Sequence, residues 1–460
     1  MWESLKLLLE SMPSFFNKLK DLLSSSSYAK PELNKFADQY PGVEEDEENT
    51  LDVRIGLDFG TAFTKVIVRV ANDFSAISFK EFKPDNEFLL PSALYLDEEN
   101  ICYLDDRNKK KYTGLKDHIV HDEIETLLND HETLGSIVFF IALVFQHTRY
   151  NFLVNNWRQF NQRYIKWNIN IGIPEATLES NEKKQLYEWI IKLAWGVSLK
   201  EEKIIFDLEK LTKEPDFHQE DIGVFPECDA FLLSVEKSNV YRAGHYILID
   251  IGAGTTDLSY LVVYDADDDI YHAVHNTSVE NHGTVMFMKY LIQKSNSNFD
   301  WNRHENFPSL SDLRRTLDLD SEAFENFRNQ FMNRFENQLS ENFKEGFGHF
   351  SHKDRANLEN GSLRFCYIIT GGGSNIDAYN EVAENLSHNL SQYNLSKLDL
   401  PKPPNLKPDT ISKREFERLA VAYGLAWDPL DLAETIKYEE DNDGNDNTNF
   451  RDQYIGPEQM

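Results

Sequence analysis

Residues 246–263 read YILIDIGAGTTDLSYLVV, in which two apolar runs flank a short turn rich in glycine and threonine. This pattern predicts two strands joined by a tight hairpin. Asp250 and Asp257 flank the turn, and their spacing allows both carboxylates to point toward one bound cation or water. Gly252 and Gly254 allow the backbone to approach a phosphate closely. The stretch therefore predicts a strand–turn–strand unit that binds phosphate.

A similar arrangement occurs roughly 200 residues earlier, where residues 53–70 read VRIGLDFGTAFTKVIVRV. Asp58 ends the first apolar run, and Gly60 and Thr61 make the turn. Backbone N–H groups and a hydroxyl in such a turn can hold phosphate oxygens, and the carboxylate can hold magnesium directly or through water. Taken alone, the pattern is also typical of an ordinary hairpin. Two such hairpins in one chain are far more specific, and facing each other they would clamp a triphosphate.

A third motif, IITGGGSNI, occupies residues 368–376. A buried strand runs into three glycines, and a helix follows. Such a flat surface without side chains suits the base and sugar of a nucleoside. Glycine-rich turns between a strand and a helix are common, so this motif supports nucleotide binding only beside the two hairpins.

Composition limits the class of protein and of partner. The chain has 460 residues, of which 41% are hydrophobic and 27% charged, enough for more than one core. With 47 Lys and Arg against 78 Asp and Glu, the net charge is −31. Because so acidic a chain is repelled by phosphate backbones and anionic lipids, we expect no nucleic-acid partner and no membrane adhesion by general charge.

Cysteines and apolar runs indicate the compartment. Three widely spaced cysteines, Cys102, Cys228 and Cys366, make neither a disulfide framework nor a zinc site, which predicts a reducing, cytoplasmic environment. The longest apolar run, residues 137–145, is well short of the ~20 residues that a bilayer span needs, so we expect a buried helix. Charged residues interrupt the N-terminal apolar residues, so this segment does not read as a secretory signal.

The two ends of the chain differ from its middle. Residues 1–23 repeat apolar side chains at three- and four-residue steps, which predicts an amphipathic helix. Its apolar face has three possible roles: packing back onto the protein, docking to a partner protein, or weak membrane contact. Residues 24–50 are serine-rich and acidic and predict a flexible linker, and residues 431–460 predict an acidic, disordered tail.

Together the three motifs resemble those of the actin-like ATPase superfamily, which includes actin, sugar kinases and heat-shock chaperones. LDFGT is similar to its first phosphate loop, DIGAGTTD to its second, and TGGGSNI to its adenosine motif. The likeness is closest to the nucleotide-binding domain of the heat-shock protein 70 (DnaK-type) chaperones. Residues 90–92, 169–174, 225–227 and 419–427 resemble further segments of that domain, and the likeness spans about 51–430 in the family's motif order.

The resemblance implies an α/β fold with two ribonuclease H-like lobes around a nucleotide cleft. Lobe I would span residues 51–240. Lobe II would span residues 241–430, and its closing helix would return to lobe I. We expect no β-sandwich substrate-binding domain, because the chain ends soon after the closing helix.

The resemblance also implies roles for individual residues around ATP and Mg²⁺. The metal would be organised by Asp58, Asp250 and Asp257. Glu227 would position or polarise the attacking water, and Lys65 or Lys116 would offset charge on the γ-phosphoryl group. The residues expected to contact nucleotide are Gly60, Thr61, Ala62, Lys65, Gly252, Ala253, Gly254, Thr255, Thr256, Gly283, Gly371, Gly372, Gly373, Ser374, Arg314 and Arg315.

The sequence departs from the chaperone pattern at several positions. Lys65 lies where actin and its bacterial filament relatives tend to carry a phosphate-contacting lysine. The chaperones' own lysine lies in a later loop, for which Lys116 is the best match and residues 109–111 compete. His282 replaces a usual glycine. The adenine-clamping residues match only loosely at Arg314 and Arg315, which leaves adenine against guanine specificity open.

These features predict an ATPase that acts as a chaperone-like nucleotide switch on an unidentified protein partner, with residues 1–23 as one docking segment. Two alternatives are an actin-like filament-forming ATPase, favoured by Lys65, and a nucleotide-bound scaffold that does not hydrolyse ATP. A sugar kinase is disfavoured, because no convincing acid for a sugar site is found. The expected ligands are ATP or ADP with Mg²⁺.

Overall fold

The computed structural model describes residues 33–106, 110–174, 180–212, 222–238, 242–266, 269–299, 301, 307–348, 364–432 and 435–437. The predicted helix over residues 1–23 lies outside these ranges. The prediction of an α/β protein is confirmed, because the described residues form helices and three sheets.

The strands alternate with helices along much of the chain. In chain order the strands are β1 (Thr50–Phe59), β2 (Phe63–Val70), β3 (Asp73–Ala76), β4 (Leu90–Pro91), β5 (Ala93–Leu96), β6 (Cys102–Tyr103), β7 (Lys110–Thr113), β8 (Tyr164–Ile173), β9 (Ile222–Pro226), β10 (Gly244–Ile251), β11 (Thr256–Ala266), β12 (Asp269–Glu280), β13 (Arg364–Thr370), β14 (Ser396–Lys397), β15 (Leu406–Lys407) and β16 (Thr435–Lys437). The α-helices are α1 (Leu115–His121), α2 (Ile124–Asn129), α3 (His131–Phe160), α4 (Asn181–Ser198), α5 (Glu227–Glu236), α6 (Thr284–Ser295), α7 (Leu310–Thr316), α8 (Ser321–Gly348), α9 (Asp377–Asn389), α10 (Lys413–Leu425) and α11 (Pro429–Leu432). Short 3₁₀ helices occur at Glu47–Asn49, Leu208–Thr212, Gly372–Asn375 and Ser391–Tyr393.

The two larger sheets share one strand order. The first sheet runs β15-β3-β2-β1-β8-β9, with β4 beside β2, and the second runs β14-β13-β10-β11-β12-β16. The predicted hairpins are β1–β2 and β10–β11, both antiparallel, and each first strand also pairs in parallel with a later strand, β8 or β13. Each sheet therefore contains three antiparallel strands followed by two parallel ones, β3-β2-β1-β8-β9 and β12-β11-β10-β13-β14. A smaller antiparallel sheet runs β6-β5-β7.

Alternate side chains of β10 enter different cores. Ile247, Ile249 and Ile251 pack with α6, α8 and α9 on one face of the second sheet. Tyr246 and Leu248 pack on the opposite face with α5 and α10. Because successive side chains of a strand point to opposite faces, this sheet separates two cores.

The first sheet also contributes to two cores. Val53, Ile55 and Leu57 of β1 pack with α3 and α4. Ile67 of β2 joins the core around α5 and α10, which also includes residues of the second sheet. These two helices therefore share one apolar core with both sheets.

The closing helix α10 approaches its neighbours very closely. A Cβ at Gly424 would lie 1.7 Å from the carbonyl oxygen of Ala230 in α5, and a Cβ at Gly56 in β1 would lie 2.3 Å from that of Ala422. Both positions require glycine, because any side chain would clash and push α10 away from the elements that orient it.

The long helix α3 contains the apolar run at residues 137–145. By length and composition alone it could cross a membrane, but 78% of its most apolar window is buried inside the protein. Its apolar side chains pack against the first sheet and α4. This agrees with the expectation of a buried helix.

Part of the segment predicted as a linker over residues 24–50 packs against the rest of the protein. Tyr40 is only 2% exposed, and its hydroxyl donates to the carbonyl oxygen of Leu153 in α3 at 3.0 Å. The side chain of Gln39 bonds both backbone groups of Ile165 in β8 at 2.7 and 2.8 Å. Local composition is polar here, but buried anchors and long-range hydrogen bonds hold the segment against the first sheet.

The C-terminal tail prediction also differs from the structure at one place. Thr435–Lys437 forms β16, which pairs in parallel with β12 at residues 272–274. The unpaired backbone groups at the edge of the second sheet give this polar segment hydrogen-bond partners that its composition does not reveal. Residues 438–460 lie outside the described part of the chain.

We expect Tyr40→Ala to destabilise the protein by about 3 kcal/mol, because it removes a fully buried aromatic side chain. Tyr40→Phe removes only the hydrogen bond to Leu153 and should cost about 1 kcal/mol. Urea unfolding of the full chain measures both, with Tyr150→Ala, on the adjacent helix and only partly buried, as a comparison. Equal stability of Tyr40→Ala and wild type would show that the segment is free in solution.

Candidate functional site

A cleft of about 410 Å³ lies where the turns of the two hairpins, the turn after β13 and the start of α10 meet. This volume is within the roughly 300–1,000 Å³ that small-molecule sites occupy. The three sequence motifs are thus brought to one place. The predicted residues that line the cleft are Asp58, Gly60, Thr61, Ala62, Lys65, Lys116, Glu227, Asp250, Gly252, Ala253, Gly254, Thr255, Asp257, Gly371 and Gly372.

The first hairpin presents an acid that is already paired. Asp58 and Lys65 lie opposite each other in the β1–β2 register, and Lys65 Nζ donates to Asp58 Oδ2 at 2.8 Å. The turn is held by Ser92, whose hydroxyl donates to the carbonyl oxygen of Gly60 at 2.6 Å and whose N–H donates to that of Ala62 at 2.9 Å. These two bonds hold residues 90–92 beside the turn of the first hairpin.

The second hairpin presents a pair of acids to the cleft. Asp250 and Asp257 are direct neighbours in the β10–β11 register, and Asp257 Oδ1 is buried with no hydrogen-bond partner. Burial raises the pKa of Asp250 to about 7, and it raises that of Asp257 to about 8, with the charge of Asp250 adding to the second shift. Like charges opposed across a hairpin are destabilising, and a bound cation would relieve this repulsion.

The turn of the second hairpin is braced by the start of α6. The N–H of Thr284 donates to the carbonyl oxygen of Gly252 at 3.1 Å, and that of Val285 donates to Ala253 at 2.8 Å. A Cβ at Gly283 would lie 2.4 Å from the carbonyl oxygen of Ala253, so this glycine packs behind the turn. The role of Gly283 is therefore to shape the turn, because it does not line the cleft.

A buried ion pair joins two elements at the floor of the cleft. Lys116 Nζ, from α1, donates to Glu227 Oε1, at the first position of α5, at 2.5 Å. Burial alone would lower the pKa of Lys116, but the charge of Glu227, with further contributions from Tyr187 and Asp58, raises it above its ordinary value. The two side chains expected to act at the γ-phosphoryl group thus lie together.

Position separates the candidate lysines into two groups. Lys65 and Lys116 both line the cleft. Lys110 instead pairs with Glu132, and Lys111 lies over the ring of Tyr95. Residue 109 lies outside the described residues.

The third motif packs directly on the acid pair. Gly371 has φ of 79°, and a Cβ there would lie 2.2 Å from Asp250 Oδ1. Only glycine fits this position without strain. Gly373 is buried against the side chain of Ile251, and the Ser374 hydroxyl donates to the carbonyl oxygen of Gly371 at 2.8 Å, so both shape the turn from behind.

The two hairpin turns face each other across the cleft. A Cβ at Gly254 would lie 3.7 Å from both Cγ2 and Oγ1 of Thr61. A ligand between the turns would therefore meet backbone N–H groups and hydroxyls from both hairpins.

Besides Gly283, Gly373 and Ser374, three further predicted contacts do not line the cleft. Thr256 is fully buried within β11, and its hydroxyl has no partner among the described residues. Arg314 and Arg315 lie in α7, where they bond Ser321 and Asp312 at the surface. The structure therefore does not place these two arginines in the lining of the cleft.

Several cleft residues were missed by sequence reasoning. They are Phe63, Thr284, Trp301, Phe307, Asn375, Ile376, Ser412, Arg414, Glu415, Arg418 and Val421. The spacing of Arg414 and Arg418 places them on one face of α10, which was a usable signal. No local pattern marked Trp301 or Phe307, whose rings meet edge to face at 5.8 Å.

The residues present fit a magnesium ion that is shared with a phosphate. Magnesium is usually held by one or two carboxylates together with phosphate oxygens and waters. Asp250 and Asp257 supply such a pair, with one buried oxygen unpartnered. Asp58 is engaged by Lys65, and no group of three acid, histidine or cysteine side chains suited to a metal occurs in the described part of the chain. Asp58, the third acid expected at the metal, also lines the cleft.

No protein-family model matches the chain, and a search of the curated proteins found no significant match.

We expect Asp257→Asn to stabilise the protein without divalent cations, and increasingly so with rising pH. Because the folded-state pKa lies above the ordinary value near 4, the charged carboxylate opposes folding once the pH exceeds ~4, with its full cost above pH 8. Thermal melting in EDTA at pH 5 and pH 8 measures this. A gain at pH 5 as large as that at pH 8 would contradict the electrostatic cause.

Proposed function

We propose that the protein is an ATP-binding and ATP-hydrolysing, chaperone-like switch that acts on a partner protein. The observation that carries the proposal is the meeting of two phosphate-type hairpin turns and a glycine turn at one cleft, beside two acids that are direct neighbours. Each part alone is common. Their convergence matches what a nucleoside triphosphate with a magnesium ion requires.

The same proposal includes an actin-like fold of two ribonuclease H-like lobes. It is supported by the repeated strand order of the two larger sheets and by the helices α5 and α10 packed in a core common to both. The cleft lies between the turns of two hairpins that occupy the same place in the strand order of the two sheets. A fold built from two similar lobes would have this arrangement.

Phosphoryl transfer needs mainly positioning and charge neutralisation. Thr61, Thr255 and the N–H groups of both turns would hold the β- and γ-phosphates. Asp250 and Asp257 would bind Mg²⁺, which when present neutralises phosphate charge. Glu227 would orient the attacking water and draw its proton, while Lys116 would lie ready to offset charge on the transferred group.

The position of α10 suggests how occupancy of the cleft reaches the rest of the molecule. Arg418 and Val421 line the cleft, while Ala420 and Ala422 of the same helix lie in the core that contains parts of both sheets. A ligand that contacts this helix more favourably in one arrangement of the sheets shifts the population toward it. This is the physical basis of the proposed switch.

We expect Gly254→Val to lower ATP affinity by at least about tenfold while the protein stays folded. The Cβ has room, 3.7 Å from Thr61, but the added methyl groups fill the gap between the two hairpin turns. Calorimetry with Mg²⁺ and ATP on the full chain measures this, with Arg315→Gln, on the surface of α7, as the control. A wild-type chain that binds no nucleotide would overturn the proposed function.

The partner can be sought through the nucleotide state. Chains trapped with ATP or with ADP should capture different proteins from a lysate. A partner that binds equally in both states would contradict the switch.

A further inference from the structure

Arg418 is a cation of the cleft that forms no salt bridge within the described part of the chain. Its Nε is buried without a hydrogen-bond partner, and no hydrogen bond or ion pair joins its guanidinium to another described residue. Its Cζ lies 5.4 Å from the centre of the Phe63 ring. Burial lowers the pKa of Arg418 to about 10, and the charge of Arg414 acts in the same direction. The charge of Glu415 acts in the opposite direction without a bond to Arg418, and the group remains charged at neutral pH.

The other cations of the cleft are engaged. Lys65 pairs with Asp58 and Lys116 with Glu227. Arg414 donates to the side chain and the carbonyl oxygen of Asn375. Glu415, one turn before Arg418, accepts bonds from Ser412 instead.

An unpaired charge in so enclosed a place costs stability unless a ligand supplies the partner. Arg418 lines the cleft, so an anionic group bound there can meet it. A guanidinium binds phosphate oxygens in a planar, bidentate manner, which a lysine cannot reproduce.

The position of Arg418 identifies which group it would meet. Phe63 directly follows the first hairpin turn, the proposed site of the β- and γ-phosphates. Gly372 belongs to the glycine turn, the proposed site of the nucleoside, and a Cβ there would lie 4.0 Å from Arg418 Nη2. Arg418 therefore lies between the proposed phosphate site and the proposed nucleoside site. At this place a bound nucleotide would pass from its nucleoside to its polyphosphate.

We propose that Arg418 binds the α-phosphate, the phosphate attached directly to the nucleoside. This inference rests on the proposed function of the cleft. It implies that a nucleoside monophosphate is recognised by the protein and that adenosine lacks a main contact.

The test is competition of adenosine, AMP and ATP against a fluorescent ATP analogue bound to the full chain. Variants are Arg418→Gln, Arg418→Lys and, as control, Lys413→Gln, whose side chain pairs with Asp399 outside the cleft. Arg418→Gln should weaken AMP and ATP by roughly 10- to 100-fold and adenosine by less than about threefold, since a charge-assisted bond to phosphate is lost. Arg418→Lys should fall between, and Lys413→Gln should match wild type.

The outcomes distinguish failure of the proposed function from failure of the α-phosphate contact. If wild type binds no nucleotide, the proposed function fails first. If wild type binds ATP but Arg418→Gln loses nothing, or loses adenosine as much as AMP, the α-phosphate contact is wrong. Melting temperatures measured without ligand check that each variant is folded. Arg418→Gln should be at least as stable as wild type, because it removes an unpaired buried charge.

Discussion

Asp250→Asn is expected to lower the proposed magnesium-dependent ATP hydrolysis by ~10³-fold or more, because it removes a metal-binding charge that helps neutralise the transferred phosphoryl group. The fold should survive. Burial raises the pKa of Asp250 to about 7, so above that pH the neutral amide relieves an unfavourable charge. The measurement is phosphate release at saturating ATP over a range of Mg²⁺ concentrations, beside thermal melting at pH 8 in EDTA.

The matched control is Asp52→Asn, an exposed acid in the same kind of strand on the first sheet. It should leave both hydrolysis and melting temperature near wild type. Wild-type turnover in a folded Asp250→Asn chain would mean that the cation is organised elsewhere. A large loss of melting temperature would instead show that Asp250 supports the fold.

Glu227→Gln should lower single-turnover ATP hydrolysis by ~10²-fold or more while ATP affinity stays within a few-fold, the scale expected for a positioned acid–base group. The amide oxygen can still accept the bond from Lys116, so the geometry at the start of α5 is kept while the charge is lost. Some stability should be lost, because Lys116 then keeps a buried charge beside a neutral partner. Calorimetric affinity beside single-turnover rates makes the test.

Glu236→Gln, in the last turn of the same helix and outside the cleft, provides the control. It should change neither affinity nor rate. Equal loss of affinity and rate in Glu227→Gln would show a structural role for Glu227. Unchanged hydrolysis would mean that another group orients the water.

Local sequence was sufficient for the hairpins and the glycine turn. In the second hairpin, apolar runs, two acids and the glycines are contiguous, and pairing across a tight turn makes Asp250 and Asp257 direct neighbours. The first hairpin opposes Asp58 to Lys65 in the same way. The buried strand predicted before the glycines of the third motif also formed, as β13, because its apolar residues fit a doubly buried sheet.

Local sequence failed where a residue's role depends on a distant partner. Arg314 and Arg315 match a motif by order along the chain, yet α7 presents them to the surface, while Arg418 reaches the cleft from the closing helix. The polar segment before β1 has the composition of a linker, but the buried Tyr40 bonds it to α3.

The sequence by itself determined the three turns that can hold phosphate and nucleoside, because turn geometry depends on glycines and hydroxyls a few residues apart. The tertiary structure alone decided that these turns meet and that Lys116 pairs with Glu227 across 111 residues of chain. It also decided that Arg418 lines the same cleft with a buried Nε that has no hydrogen-bond partner among the described residues. Those relations depend on how two sheets and α10 pack, which no local pattern records, because packing contacts join residues far apart in the chain.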